Sequence, residues 1–144
     1  IALYGVGSEK QTEIEHLATL KTIILQIKDI KATDTVGYSR NGKLTRDSRI
    51  AAIPIGYADG LRRSFGNGNG YVLVNGQRAS FVGNICMDIS MIDITEIDDV
   101  KEGDPVIIFG NDLTIETLAE KVNTIPYEIL TGVSQRVKRV YFQE

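Results

Sequence analysis

The pair Asn75-Gly76 lies between Tyr71–Val74 and Gln77–Val82, two short runs rich in apolar and β-branched residues. Asn-Gly readily adopts the two left-handed conformations of a type I′ turn, whose twist matches that of antiparallel strands. The middle of the chain is therefore committed to a β-hairpin. The remainder of the 144 residues follows the same pattern. Fourteen glycines and only three prolines punctuate short Ile/Val runs, which reads as strands joined by regular turns. A chain of this length buries about 68–70% of its unfolded surface, enough for one core of its own.

Read from the start, Ile1–Val6 is a short strand and Gly7–Gln11 a polar linker, while Thr12–His16 starts a helix or leads into the next strand. Thr22, Ile23, Ile24, Ile27 and Ile30 make Leu20–Ile30 rich in β-branched residues, and a partial period-2 face predicts one long strand. Asp34–Gly37 turns into a segment carrying Tyr38, Asn41-Gly42 is a hairpin-type turn, and Arg49–Gly56 is an apolar strand. Tyr57–Gly70 is irregular. Ile85, Met87, Ile89 and Met91 alternate with polar or small residues, predicting a strand over Ile85–Thr95 with a bulge where the phase slips. Glu96–Asp104 is an acidic loop and Pro105–Phe109 a buried strand. Leu113–Asn123 is the best helix, capped by Thr114, with Ile115, Leu118 and Val122 on one face. Tyr127–Leu130 adds a helical turn and Arg136–Phe142 a final strand. The expected class is mainly β: an antiparallel-rich barrel of about eight strands, with one or two short helices near the C-terminus.

Composition removes several function classes. Sixteen basic against nineteen acidic residues leave a net charge of −3, which argues against a nucleic-acid or anionic-membrane surface. Cys86 is the single cysteine and His16 the single histidine, so no intrachain disulfide or Cys/His zinc set is expected and no metal site is assigned. His16 reads as a surface or strand-edge residue. No apolar run approaches the roughly 18 residues of a membrane span. The opening IALYGVGSEK has no basic n-region or cleavage site, so a soluble, reducing compartment is expected. It also lacks Met and begins abruptly on an apolar run, as though continuing from a longer chain.

Stock active-site motifs are missing: there is no G-x-S-x-G, H-E-x-x-H or P-loop. Gly66–Gly70 (GNGNG) does not join a strand to a helix and reads as a flexible loop rather than a dinucleotide fingerprint. Cys86, between Ile85 and Met87, reads as an inert buried thiol. Three clusters carry more chemistry: Val36-Gly37-Tyr38, Gly56-Tyr57-Ala58-Asp59-Gly60 with Arg62 and Arg63 behind it, and Gly83-Asn84-Ile85-Cys86-Met87-Asp88. From residue types alone they are either parts of one site or ordinary rim tyrosines and turn-forming aspartates.

These clusters also carry a resemblance. IALYG (1–5), VGY (36–38), IPIGYADG (53–60), LRR (61–63), GNICMDISMIDIT (83–95), EGDPVIIFG (102–110) and SQRVKRVY (134–141) resemble, in order and spacing, the C-terminal β domain of the alanine racemase family. The resemblance spans nearly the whole chain, and its GYADG and CMD elements are the specific ones. It implies an enzyme that interconverts L- and D-alanine for peptidoglycan, a cytoplasmic homodimer using pyridoxal 5′-phosphate. The cofactor would be attached through a lysine of an N-terminal α/β barrel that this chain does not contain. Residues 1–11 would be the end of that barrel with its linker, and residues 12–144 the β-barrel domain. No nucleic-acid partner and no membrane contact by this domain are implied, and the isolated chain is expected to be inactive.

Residue by residue, Tyr38 matches the catalytic tyrosine, which reaches the partner subunit's active site and takes the α-proton of L-alanine on the face opposite the lysine. Racemisation needs acid–base groups on both faces of a planar carbanion, hence the second base. Tyr57 and Arg63 match residues of the substrate-access corridor. Met87 matches the residue whose backbone N–H helps bind the substrate carboxylate, and Asp88 the acidic residue beside it. Ile1 matches a backbone contact to the cofactor phosphate. Asp59 and Asp88 equally suit roles that only hold turns. Asn84 stands where many members have arginine, Gln135 where many have a tyrosine touching the cofactor phosphate, and Ser39 where glycine is usual. An amide at Gln135 suits a substrate hydroxyl, which keeps a serine-preferring or broad-specificity racemase as an alternative, including parents with a membrane-spanning half or a fused cell-wall ligase. A stand-alone β-barrel interaction module is the other alternative.

Overall fold

A computed structural model describes residues 18–142. Along them run β1 (Leu20–Ile23), β2 (Gln26–Ile30), β3 (Thr35–Val36), β4 (Gly42–Lys43), β5 (Ser48–Ile53), β6 (Tyr71–Val74), β7 (Gln77–Val82), β8 (Ser90–Asp93) and β9 (Pro105–Phe109). Two helices follow, α1 (Ile115–Lys121) and α2 (Pro126–Gly132). The readings made at Ile1–Val6, Gly7–Gln11, Thr12–His16 and the boundary between residues 11 and 12 lie outside the described residues.

The Asn-Gly hairpin forms as its chemistry requires. Val74 faces Gln77 across the turn, and Asn75 and Gly76 have φ of 50° and 74°, the left-handed pair of a type I′ turn. From this nucleus an antiparallel sheet extends in the order β1-β9-β6-β7-β8-β5-β2. Its two edges, β1 and β2, are consecutive in the chain and separated only by Ile24 and Leu25. A sheet whose edges are joined by two residues must curl, and the barrel expected from sequence takes the form of a seven-stranded half-barrel. The short β3–β4 hairpin stands apart as a second sheet.

That closure corrects the single long strand expected over Leu20–Ile30. The Ile24 amide donates to the Asp104 carbonyl at 3.0 Å, whereas the Leu25 amide donates to Ala52 at 2.8 Å. The hydrogen-bonding partner thus changes between adjacent residues, from the β9 side to the β5 side. Ile24 is buried while Leu25 is exposed. Local propensity reports the extended backbone but not which strand it will pair with.

The concave face is filled by Ile53, Val72, Val74, Phe81, Ile92 and Val106, all nearly inaccessible. Phe65 leans on Phe81 with ring centroids 6.4 Å apart. The helix α1 adds Ile115, Leu118 and Ala119 to this core, and its Thr114 cap accepts from the Thr117 amide. Val122, expected on the same face, is only partly buried and ends the helix. The helical turn expected at Tyr127–Leu130 is the longer α2.

Three further expectations are corrected. Asn41-Gly42 is not the turn: Gly42 is a strand residue paired with Val36, and the reversal occupies residues 37–41. Gly66–Gly70 is pinned rather than flexible, because Asn67, Gly68 and Gly70 amides donate to Gly83, Phe81 and Phe65. The Asn69 side chain also donates to Ser64 and Lys121 carbonyls. Arg136–Phe142 forms no strand: Val137 turns back to the Ser134 carbonyl, and the Arg139 guanidinium donates to Val133, Ser134 and Val137 carbonyls. Those self-contacts curl the segment, leaving Val140, Tyr141 and Phe142 exposed.

Candidate active-site rim

Three loops converge where the sequence left three separate clusters. The first links β3 to β4. Gly37, Ser39 and Arg40 all have φ between 56° and 77°, so this reversal is made of left-handed residues. A non-glycine residue there is strained by roughly 1–2 kcal/mol. Ser39, at φ 60°, occupies a position where glycine costs less. Arg40 Nε bonds Thr35 Oγ1 at 3.1 Å across the loop. At its apex Tyr38 is 75% exposed, the tyrosine projecting from a rim rather than packing in a core.

The second loop follows β5. The Ser90 hydroxyl, fully buried, donates to the Ile55 carbonyl at 2.7 Å. The tight turn Tyr57–Asp59 then begins, with Asp59 Oδ2 accepting from the Gly56 amide at 2.9 Å. The third loop precedes β8 and corrects the strand expected over Ile85–Thr95, of which only Ser90–Asp93 is extended. Ile85 is buried but Met87 and Ile89 are exposed, so the alternation there is coincidental. The Cys86 and Met87 carbonyls accept instead from the Tyr57 and Ala58 amides, both at 3.0 Å. Gly56 makes this docking possible: a Cβ there would stand 2.3 Å from the Cys86 oxygen and 2.4 Å from the Met87 oxygen.

The result is a concavity of about 290 Å³ lined by Tyr38, Tyr57, Arg63 and Asn84–Met87. Four of the residues singled out from sequence, Tyr38, Tyr57, Arg63 and Met87, therefore share one wall. The Met87 amide has no acceptor among the described residues, leaving a donor for an anionic group. Arg63 is the cation of this lining, and Asn84 Oδ1 accepts from the Asn67 side-chain Nδ2 at 3.2 Å. Cys86 is half-buried and lines the concavity, with its thiol 3.7 Å from the Asn84 carbonyl; it is not the buried residue expected, because the loop turns it outward. Gln135 is exposed beside Arg136, and it does not line the concavity. Ile1 and His16 lie outside the described residues.

Asp88 does not line the concavity, and its carboxylate meets Arg136. Arg136 Nη2 donates to Asp88 Oδ1 at 2.6 Å, while Nε donates to Asp59 Oδ1 at 2.7 Å. The hydrogen bond to Asp59, then that to Asp88, hold the guanidinium charged well above its ordinary range. Sequence reasoning missed this residue, since its partners lie 77 and 48 positions away; the only signal was opposite charge in SQRVKRVY, GYADG and CMD.

A second concavity, about 310 Å³, opens beside Lys43, Arg46, Ser80 and Asp93. Its Arg46 is paired with Glu96 and its Asp93 with Thr95, and it gathers none of the site residues singled out from sequence, so the tyrosine-lined wall is the better candidate. Among the described residues, no cluster of His, Cys, Asp and Glu could hold a metal ion, and no helix is long and apolar enough to cross a membrane.

The family described as "Alanine racemase, C-terminal domain" matches residues 17–141. "Alanine racemase 2" of Caldanaerobacter subterraneus subsp. tengcongensis is 41% identical over 149 residues, covering 98% of this chain and 38% of that protein. An "Amino-acid racemase" of Enterococcus faecalis is 40% identical over 147 residues, covering 95% of this chain and 21% of its own length. Among solved structures, alanine racemase from Bartonella henselae with covalently bound pyridoxal phosphate superposes with a TM-score of 0.92 at 38% identity. That match covers 98% of this chain and 40% of the other. The chain thus spans about two fifths of the length of these alanine racemases and about a fifth of the amino-acid racemase.

Proposed function

Because the chain belongs to the alanine racemase family, as its C-terminal domain, we propose that it supplies one wall of a cytoplasmic, homodimeric racemase acting on L- and D-alanine. Residues 12–144 are the β domain, and residues 1–11 connect it to the N-terminal barrel that carries the cofactor lysine. The observation that carries this reading is the wall itself: an exposed phenol at Tyr38 sharing one concavity with Tyr57, Arg63 and Met87. No lysine lines that concavity, so the amine that attaches pyridoxal phosphate comes from elsewhere in the parent protein. The lining suits that arrangement, with donors and a proton-exchanging hydroxyl but no attaching group. When bound, pyridoxal phosphate supplies the electron sink that makes the α-proton of an amino acid acidic.

The residues of this chain then divide the work. Tyr38 Oη takes the α-proton from L-alanine, and returns it when D-alanine is the substrate, on the face opposite the barrel lysine. The open Met87 amide binds the substrate carboxylate. Tyr57 and Arg63 narrow the approach and favour small zwitterions. Ile1 and Gln135 are assigned to the cofactor's phosphate side on resemblance alone. The alanine reading is favoured over a serine-preferring enzyme or a stand-alone interaction module, because alanine racemase names outnumber the broader amino-acid racemase name among the relatives that match this whole domain.

The test is Tyr38→Phe in the full racemase. Removing the phenolic oxygen should slow α-proton removal from L-alanine by about 10²–10⁴-fold, the usual worth of a positioned acid–base group. Solvent-deuterium incorporation into each isomer reads this directly. Full rates of exchange from both isomers would remove Tyr38 from the mechanism.

A further inference from the structure

The rim loops are held by backbone contacts on one side and by a single side chain on the other. Arg136 sits on neither loop. It comes from the curled segment after α2, which is itself anchored by the Ser134 amide donating to the Asp59 carbonyl at 3.0 Å. From there its guanidinium reaches Asp59, on the turn that carries Tyr57, and Asp88, the residue after Met87. Two different nitrogens bond two different carboxylates, so the geometry of one rigid plane fixes the spacing of both loops. The Asp59 side chain is 15% exposed and the Asp88 side chain 59%. The inner arm is therefore anchored and the outer arm is the adjustable one.

We propose that Arg136 is a positioning residue for substrate binding: by bridging Asp59 and Asp88 it sets the Met87 amide and the Tyr57 ring at the separation the substrate carboxylate requires. This rests on the racemase reading for its substrate, but not for the bridge itself. A lysine cannot replace it, since one ammonium on a flexible stem lacks the planar fork that addresses two carboxylates at once. Loss of the bridge leaves Tyr38 untouched, because that residue stands on the β3–β4 loop. Binding suffers while proton exchange survives.

Two measurements separate the bridge from the function. In this chain, amide resonances of Ala58, Met87 and Asp88 should shift in Arg136→Gln while those of the β6–β7 hairpin stay in place. Unmoved resonances over residues 84–89 would overturn the bridge. In the full racemase, Arg136→Gln should raise KM for alanine about tenfold with kcat within about threefold, the pattern of lost ground-state binding. Arg136→Lys should fail to restore KM. Asp88→Asn, on the exposed arm and nearly isosteric, should show part of the same rise. Combined with Arg136→Gln it should add nothing further, as expected for two members of one interaction. Proportional loss of kcat and of folded protein would make Arg136 merely structural and overturn the proposal. A parent protein that does not racemise alanine would overturn the functional reading, while the resonance shifts still decide the bridge.

Discussion

Phe81 and Tyr38 are both aromatic and belong to neighbouring parts of the fold, yet one is 2% exposed and the other 75%. Phe81 lies in the curled sheet among Val72, Ile92 and Val106, on a strand paired with β6 at one end and β8 at the other. Tyr38 lies on a left-handed reversal that belongs to a separate two-stranded ribbon. Around it Tyr57 and Met87 also expose large apolar surface. A grouped exposed patch of this kind marks a contact surface rather than a packing fault. The contrast shows how the molecule separates two tasks: the sheet supplies stability, and the rim, relieved of that task, presents chemistry.

The largest expected effect breaks the sheet side of the contrast. Phe81→Ala should cost about 3–5 kcal/mol, the transfer of a buried ring plus the cavity it leaves. Tyr38→Phe should stay within about 0.5 kcal/mol, as exposed substitutions do. Denaturant midpoints of the two variants measure both, and equal losses would dissolve the distinction between the two regions.

A smaller effect should appear where the regions meet. In Gly56→Ala the new methyl would face the Cys86 and Met87 carbonyl oxygens, at 2.3 and 2.4 Å, and neither is the end of a flexible side chain. Overpacking of this kind costs about 1–3 kcal/mol. The third loop should be displaced as well, visible as shifted Cys86–Asp88 amide resonances. Unchanged stability and unchanged resonances would show that the docking of the two loops is looser than their hydrogen bonds imply.

The smallest effect sharpens the contrast by lying outside both regions. Lys31 Nζ and Asp47 Oδ2 are 2.7 Å apart on the surface, and Asp47 also accepts from the Ala32 amide. The hydrogen bond from Lys31, then that from Ala32, lower the Asp47 carboxyl below the usual carboxylate range. Its contribution is therefore present above the ordinary carboxylate value and lost as pH falls through the depressed one. Hydrogen bonding to Asp47, then its charge, raises Lys31, so that contribution is present below the ordinary lysine value and lost as pH rises through the raised one. Asp47→Asn should slightly flatten both limbs of the Tm–pH profile, with the difference shrinking in salt. A difference that survives high salt would place the pair in a less exposed setting than its geometry indicates.

Much of the sheet was legible because the signals were local. Asn75-Gly76 demands a particular turn, Pro105–Phe109 is uniformly apolar, and Thr114 lies one residue before its helix. The errors share one cause. Ile24 and Leu25 continue an extended pattern through a change of partner, and Met87 and Ile89 keep an alternating phase while the backbone turns away from any strand. The run Arg136–Phe142 has the residues of a strand but spends its hydrogen bonds on its own turn. Periodicity reports which residues favour extended backbone; it is silent on whether a partner edge is free.

The same division holds at the rim. Residue types in the sequence determined a curled antiparallel fold, the chemistry in Tyr38, Tyr57, Arg63 and Met87, and a family resemblance carried by GYADG and CMD. Only the tertiary structure decided that the three loops form one wall, that Cys86 faces its concavity, and that Asp59 and Asp88 are bridged by Arg136. The reason is range. Turn and cap preferences act between neighbours in the chain, whereas a guanidinium bonds whatever carboxylates the folded backbone brings within 3 Å, however far away in sequence they began.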